Sequence, residues 1–323
     1  MRCLALAQAW QDRGGSATLL TAALPAPLET RVRAEQLDVV SVEGDANDPS
    51  EAIRVARDGG MQWVVVDGYD FDSAYQRRIK DAGLPLLWID DEAHAAPYSA
   101  DVVLNQNPHA AESMYADRAA GTRLLLGPRY VLLRREFRRW RDGRAKATGA
   151  TPRVLVTMGG GDAENVTLKA VEALRRLTNA EIEAVVVAGN MNPHVTKLEA
   201  VLEGAEGMRL ERNVTQMPEL MSWADVAIAA GGSTSWELAY FGVPMLLLPI
   251  AENQRPVAER LHEEQVAIHL GWHADVRSTD IADALSRLLA DHALREDMSR
   301  RGREMIDGDG VVRIIESMEA TRS

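Results

Sequence analysis

Residues 225–254, DVAIAAGGSTSWELAYFGVPMLLLPIAENQ, read as strand, glycine turn, helix, strand and loop in one unbroken run. That order constrains the fold more than any other stretch of the chain, because two strands joined through a helix must lie parallel in one sheet. The run at 225–230 is short and apolar, as a strand buried on both faces is. Gly231 and Gly232 break it, and Ser233, Thr234 and Ser235 follow where hydroxyl groups cap the free amides of a helix. A helix that opens on glycine and hydroxyl residues favours an anion such as phosphate at its N-terminus. Glu237, in the first turn, suits the helix dipole and can also accept hydrogen bonds from the hydroxyls of a sugar. An ordinary βαβ unit with a glycine turn and an acidic first turn fits the same residues.

The pattern recurs along the chain. Runs at 16–24, 37–42, 61–69, 84–91 and 101–107 read as strands, with helices at 50–58 and 73–82; the start of the chain, with Leu4, Ala7 and Trp10 at helical spacing, reads as an amphipathic helix. A second series places strands at 153–158, 181–189, 208–214, 225–230, 243–250 and 266–272, with helices between them and from Ser278 onward. Between the two series, 134–149 loses the strand pattern and gains charge, so it reads as the connection; its arginines read as a solvated helix face, with a phosphate-facing role for Arg134 or Arg135 the lesser reading. The expected organisation is α/β with two Rossmann-like doubly wound domains, 1–145 and 151–305, a cleft between them, and a terminal helix in 306–323.

Composition narrows the partners. A net charge of -12 argues against a duplex nucleic-acid partner, so an anionic ligand must be held locally, by helix ends. The one cysteine, Cys3, excludes a disulfide framework and a cysteine-based zinc site, and fits a cytoplasmic protein with a core thiol. No apolar run reaches the roughly 18 residues of a membrane span, and Gln8, Gln11 and Asp12 interrupt any signal-peptide core, so no stable membrane insertion is expected. Neither a GxGxxG motif nor a Walker lysine is present, and no cofactor is expected.

Ligands of parallel sheets bind at the carboxyl ends of the strands. Gly159, Gly160, Gly161 and Asp162 follow one strand and open a helix, as Gly231 and Gly232 do, so two helix N-termini in one sheet can address one ligand. Asn165 can reach a phosphate or a sugar hydroxyl, or simply face solvent in the first turn. Asn253, with Gln254 beside it, reads as the N-cap of a helix starting near Pro256 and equally as a nucleotide contact. Asp67 and Tyr69 can place a water or a sugar hydroxyl, although a buried aspartate that satisfies loop amides is the plainer reading. Asp90, Asp91 and Glu92 are consecutive and point different ways, which does not suit a metal, and the seven histidines have no metal-ligand spacing, so no metal site is expected. None of the histidines stands out as a base.

Taken together, GGSTSWELAYFGVPMLLLPIAENQ, VLVTMGGGDAEN, VVVDGYDFD, WIDDEAH, DVVLNQN and GPRYVLLRREF resemble the UDP-sugar hydrolases of pseudaminic acid biosynthesis, a group of the GT-B glycosyltransferase-like proteins. The resemblance runs over residues 1 to 315, in order. It implies a GT-B-like fold with a UDP site mainly on the second domain. Gly159, Gly160, Asn165, Gly231, Gly232, Ser233, Thr234, Glu237, Asn253 and Gln254 would bind UDP or substrate, and Asp67 and Tyr69 would be accessory to catalysis. The implied reaction is metal-independent attack of water on the anomeric carbon of a UDP-linked 6-deoxy-diacetamido sugar, releasing UDP and the free sugar; a GT-B glycosyltransferase and a non-catalytic UDP-sugar-binding protein are the alternatives. Two departures follow from the same resemblance. The family opens with a strand and a loop ending in Gly-His, whose histidine is the expected base, and its next residues resemble Met1 to Ala7. The chain is therefore expected to lack that loop and a central strand, and to be catalytically impaired. Gly68 stands where the family tends to carry His.

Overall fold

Runs rich in valine, isoleucine and leucine form every central strand, because β-branched and apolar side chains fit a pleated surface that is covered on both faces. The computed structural model describes residues 1–42, 45, 47–140, 151–177, 182–189 and 191–321. The chain divides into two compact units, Met1–Arg135 with Gly308–Ser323, and Glu136–Asp307.

The first unit contains α1 (Arg2–Asp12), β1 (Thr18–Thr21), α2 (Ala26–Ala34), β2 (Asp38–Ser41), α3 (Ser50–Asp58), β3 (Val64–Asp67), α4 (Ser73–Asp81), β4 (Leu86–Ile89), β5 (Val102–Asn105) and β6 (Arg123–Leu126). Its strands form two parallel sheets, β1-β2 and β3-β4-β5-β6. The three-leucine strand β6 and helix α2 escaped the sequence pattern, being short and flanked by glycine or proline. Helix α1 serves both sheets: Leu4 and Ala7 pack with Leu19 and Val39, while Ala5 and Leu6 join a cluster with Leu87, Ile89 and Val102. Arg135 fixes this helix from outside the sheets. Its amide donates to Gln8 Oε1 at 3.0 Å, and its guanidinium donates to Gln8 O at 3.0 Å and Gln11 Oε1 at 2.9 Å. The Arg135 amide and one guanidinium nitrogen are thereby engaged by α1, while its Nε has no hydrogen-bond partner.

A short helix α5 (Arg135–Arg138) follows, and the rest of the charged run, 141–150, lies outside the described residues. The second unit contains β7 (Arg153–Thr157), α6 (Val166–Arg176), β8 (Glu183–Ala188), α7 (Val195–Leu202), β9 (Met208–Arg212), α8 (Met217–Trp223), β10 (Val226–Ala229), α9 (Thr234–Phe241), β11 (Met245–Leu247), α10 (Arg255–Glu263), β12 (Ala267–His269), α11 (Ser278–Ala290) and α12 (His292–Met305). Its six strands are all parallel, in the order β12-β11-β10-β7-β8-β9. In chain order this is the doubly wound 3-2-1-4-5-6 arrangement, whose switch point lies between β7 and β10. The terminal helix α13 (Gly310–Thr321) packs back on the first unit, where a Cβ on Gly310 would stand 2.4 Å from Val131 O. No helix among the described residues is long and apolar enough to cross a membrane.

The two sheets of the first unit differ in cover. Every residue of β4 and β5 is buried, whereas β1 is half-buried throughout and the ends of β2 are exposed. A two-stranded parallel sheet has little capacity to hold itself closed. Amide hydrogen exchange followed by mass spectrometry is therefore expected to label 18–21 and 38–41 well before 86–89 and 102–105; equal protection would show the small sheet to be as firmly held as the large one.

Candidate functional site

At the switch point of the second unit, Thr157 and Ala229 pair in register, so the loops that leave β7 and β10 emerge side by side. The two helix starts that follow are not equivalent. At α6 the amides of Val166 and Thr167 donate to the two carboxylate oxygens of Asp162, each at 2.8 Å, and Asp162 is buried. A carboxylate placed there both uses the free donors and repels a second anion. At α9 the amides of Ser235 and Trp236 turn to Gly232 O and Ser233 O, and no acceptor is bonded to the amides of Ser233 and Thr234 among the described residues. The first amides of α6 are thus taken by Asp162, whereas among the described residues the amides of Gly160 and Gly161 in the β7 loop, like those of Ser233 and Thr234 at α9, have no bonded acceptor.

The hydroxyl groups are corrected as well. Ser233 is the N-cap residue of α9 but its side chain caps nothing, and Ser235 is fully buried with its hydroxyl donating to Ala230 O at 3.1 Å. Glu237 sits half-buried in the first turn. Gly231 is required by a neighbour, since a Cβ there would come 2.9 Å from Gln254 O and 3.3 Å from the Ala258 Cβ. Gln254 is itself fixed, its Oε1 accepting the Ile250 amide at 2.9 Å, and a Cβ on Gly232 would meet its Nε2 at 3.4 Å. Gln254, not Asn253, is the N-cap residue of α10; Asn253 is exposed in the 3-10 turn Glu252–Gln254. The structure therefore gathers Gly231, Gly232 and Gln254, with Ser233, Thr234 and Glu237 on the adjoining helix start, and leaves Asn253 outside that packing.

On the β7 side, Gly159 has φ of 82°, and Gly160 O accepts the Met191 amide at 3.0 Å. Asn165 is the N-cap residue of α6 with φ of 54°, a left-handed conformation that asparagine tolerates. Its Oδ1 is buried and without a hydrogen-bond partner, so its carboxamide keeps capacity that the protein does not use. Asp162, read in sequence as part of the glycine loop, instead caps α6 with its carboxylate. An aspartate four residues ahead of an apolar helical run was its signal.

In the first unit, polar residues collect where β3, β4 and β5 end. Asp67 is not available to a ligand: Arg2 holds both its oxygens, at 2.5 and 3.2 Å, and the Cys3 thiol lies 3.6 Å from Oδ2. Arg2 also donates to Asp91 Oδ2 at 2.9 Å, and the Tyr69 hydroxyl reaches the same oxygen at 3.3 Å. Burial opposes charge on Arg2, yet the two carboxylates hold its pKa above the ordinary arginine value. The Cys3 thiol is pushed up to about 12, by burial first and by the Asp67 charge second, which makes it a poor nucleophile. Tyr69 is 48% exposed. A side chain on residue 68 would meet the Phe71 ring at 2.7 Å, so the glycine there fits this packing.

Asp90 is a structural hub. It is buried and accepts from the Tyr98 hydroxyl at 2.6 Å, the Ala93 amide at 2.8 Å and the Glu92 amide at 3.1 Å, with His94 Nδ1 at 3.0 Å. Tyr115 donates to its carbonyl and receives the Asn105 amide group at 2.8 Å. Burial pushes both tyrosine hydroxyls above their usual range. Among the described residues no group of three or more His, Cys, Asp or Glu side chains is placed to hold a metal ion.

Residues 153–310 match the glycosyltransferase family 28 C-terminal domain. The spore coat polysaccharide biosynthesis protein SpsG of Bacillus subtilis is 27% identical over 194 residues, 60% of this chain and 57% of that protein; the chain spans about half the length of the curated relatives it matches. Acinetobacter baumannii MurG has the same fold at a TM-score of 0.69 and 16% identity, with 99% of this chain and 95% of that one covered. The UDP co-structure of S. aureus MnaA follows at a TM-score of 0.67 and 15% identity, covering 97% and 91%. The fold is GT-B-like, and within it residues 153–310 are similar to the glycosyltransferase family 28 C-terminal domain.

Proposed function

We propose that the protein is a GT-B glycosyltransferase that binds a UDP-sugar on its second unit and breaks the bond between the anomeric carbon and the diphosphate. The observation that carries this reading is the pair of free amides at the start of α9, at the switch point of the domain matched to glycosyltransferase family 28. Backbone donors aimed at a leaving diphosphate stabilise the negative charge that grows as the sugar departs. The choice of UDP draws support from the similar fold of S. aureus MnaA, a co-structure with UDP, and from the half-buried carboxylate of Glu237, suited to ribose hydroxyls.

A second reading makes water the acceptor, so that a 6-deoxy-diacetamido sugar is released in nonulosonic acid synthesis. It is favoured by the convergence of the motifs VVVDGYDFD, WIDDEAH and DVVLNQN on one polar cluster at the ends of β3, β4 and β5.

Titration calorimetry with UDP tests the nucleotide site. Saturating UDP, at about 100 times Kd, should also raise stability by about 2.7 kcal/mol. Release of UDP from UDP-N-acetylglucosamine only when an acceptor alcohol is added supports transfer; release in buffer alone supports hydrolysis. Binding without turnover in either arm leaves a UDP-sugar-binding protein, and an absence of UDP binding removes the proposal.

A further inference from the structure

Six loops leave the carboxyl ends of the second unit's strands, 158–165, 189–194, 213–216, 230–233, 248–254 and 270–276, and none contains a lysine or an arginine. They carry Asp162, Glu164, Glu252 and Asp275 instead. A diphosphate held at the start of α9 must therefore draw a countercharge from residues that flank these loops. Three arginines do so directly. Arg212, the last residue of β9, pairs with Glu199 at 2.9 Å, and Arg277, the N-cap residue of α11, closes on Asp280 at 2.8 and 3.0 Å. Arg255, the first residue of α10, is engaged in another way.

Its guanidinium carbon stands 4.2 Å from the centroid of the Trp272 ring, and its Nε pairs with the Glu252 carboxylate at 2.9 Å. Neither terminal nitrogen has a hydrogen bond to the protein among the described residues, and 41% of the side chain is open to solvent. Trp272 is fixed in turn. Its ring lies 4.5 Å from that of His273, whose amide donates to Pro249 O at 3.3 Å and whose carbonyl accepts Lys169 Nζ. A guanidinium seated over an indole keeps its planar fork of donors, which matches a phosphate, and loses little freedom on binding one. The place is as telling as the shape. Arg255 follows Gln254, and a Cβ on Gly231 would come 2.9 Å from Gln254 O while one on Gly232 would come 3.4 Å from Gln254 Nε2. The starts of α9 and α10 are thus side by side.

We infer that Arg255 is an anion-binding residue of the second unit, whose terminal nitrogens take the distal phosphate of a nucleoside diphosphate while the amides at the start of α9 take the nearer one. This rests on the reading of the unit as a UDP-sugar site. Trp272 is the positioning residue, holding the guanidinium in place. When the bond between the anomeric carbon and the phosphate oxygen breaks, its electrons stay on the diphosphate, and the new charge falls on the distal phosphate. A cation there stabilises the departing group more than the intact substrate. Glu252 is a weak competitor, because it is 76% exposed and surface ion pairs exchange readily for a better anion.

Calorimetric titration of the full chain with UDP, UMP and uridine separates a phosphate contact from a packing role. Arg255→Ala should weaken UDP by about 10–100-fold, UMP by less, and uridine not at all. Arg255→Lys, which keeps the charge and loses the fork, should fall between Arg255→Ala and the unaltered protein. Unchanged UDP affinity in Arg255→Ala overturns the inference. So does an equal loss for UDP and uridine, which reports damage to the start of α10 and no lost anion contact. If the unaltered protein binds no UDP, the nucleotide reading fails, and inorganic pyrophosphate becomes the probe. Pyrophosphate binding that Arg255→Ala abolishes upholds the arginine as an anion site; no binding, or binding that the substitution leaves intact, removes it.

Discussion

Alanine at position 189 is expected to lower the melting temperature of the second unit and displace the glycine loop after β7. Gly189 directly follows β8, and a Cβ built on it would stand 2.2 Å from Gly159 O, 2.5 Å from Gly160 O and 2.7 Å from Gly160 C. All three are backbone atoms of one loop, so no rotamer change relieves the overlap. The loop has little room to retreat, because Gly160 O accepts the Met191 amide and Gly189 O accepts the Asn192 amide, both at 3.0 Å. Overpacking of this kind costs about 3 kcal/mol, which for a unit of this size is a fall of roughly 6–12 °C. The readout is calorimetric melting, with UDP titration alongside. A variant that melts with the unaltered protein would show that the two loops stand farther apart than the structure has them.

The same loop shows what the sequence could and could not convey. The inner strands of the second sheet were legible because they are runs of Val, Ile, Leu or Ala close to glycine or proline, and their parallel order followed from the helices between them; the edge strand β9, MRLER, carries that signal weakly. The capping chemistry was not. Ser233, Thr234 and Ser235 look like a cap in sequence, yet the chain turns Ser235 inward onto Ala230 and uses no hydroxyl there, while Asp162, which looked like part of a ligand loop, is the cap at α6. Propensity ranks residue types at a position, and a serine that finds a closer acceptor in the core goes to it. Likewise Gln254 took the place expected of Asn253, since boundaries are the least determined feature of a helix.

In the first unit the strand ends were placed by pattern, but the partners of their acidic residues were not. Asp67 and Arg2 are separated by 65 residues, and Arg2 and Asp91 by 89. No local periodicity reports such a pairing, and it decides which carboxylate keeps an unpaired oxygen. Asp67, the candidate from sequence, is fully engaged, whereas Asp91, first read as one member of an acidic turn, retains Oδ1. Chemistry at the ends of parallel strands is assembled from several loops, and only the three-dimensional register says which residues meet.

Glu237→Ala is expected to weaken UDP binding by about 10–100-fold, and the sign of that change tests which part of the nucleotide lies over the first turn of α9. Two effects oppose each other. A carboxylate at a helix N-terminus stabilises the helix by about 0.3–1 kcal/mol, and its hydrogen bonds to ribose hydroxyls are worth about 1.5–3 kcal/mol. Against these stands its repulsion of the diphosphate, which at a few ångströms in a partly solvated site is smaller, since opposing charges there are screened by water. If Glu237 faces the ribose, uridine and UDP lose affinity by the same factor, and Glu237→Gln, which keeps the shape and one acceptor, loses less. If it faces the phosphates, removing the charge tightens UDP and leaves uridine unchanged, and the orientation of the nucleotide proposed on α9 is reversed. Thermal melting separates both cases from simple damage: a variant that keeps its melting temperature and still changes affinity has changed a contact to the nucleotide, whereas a fall in melting temperature together with affinity reports damage to the helix start.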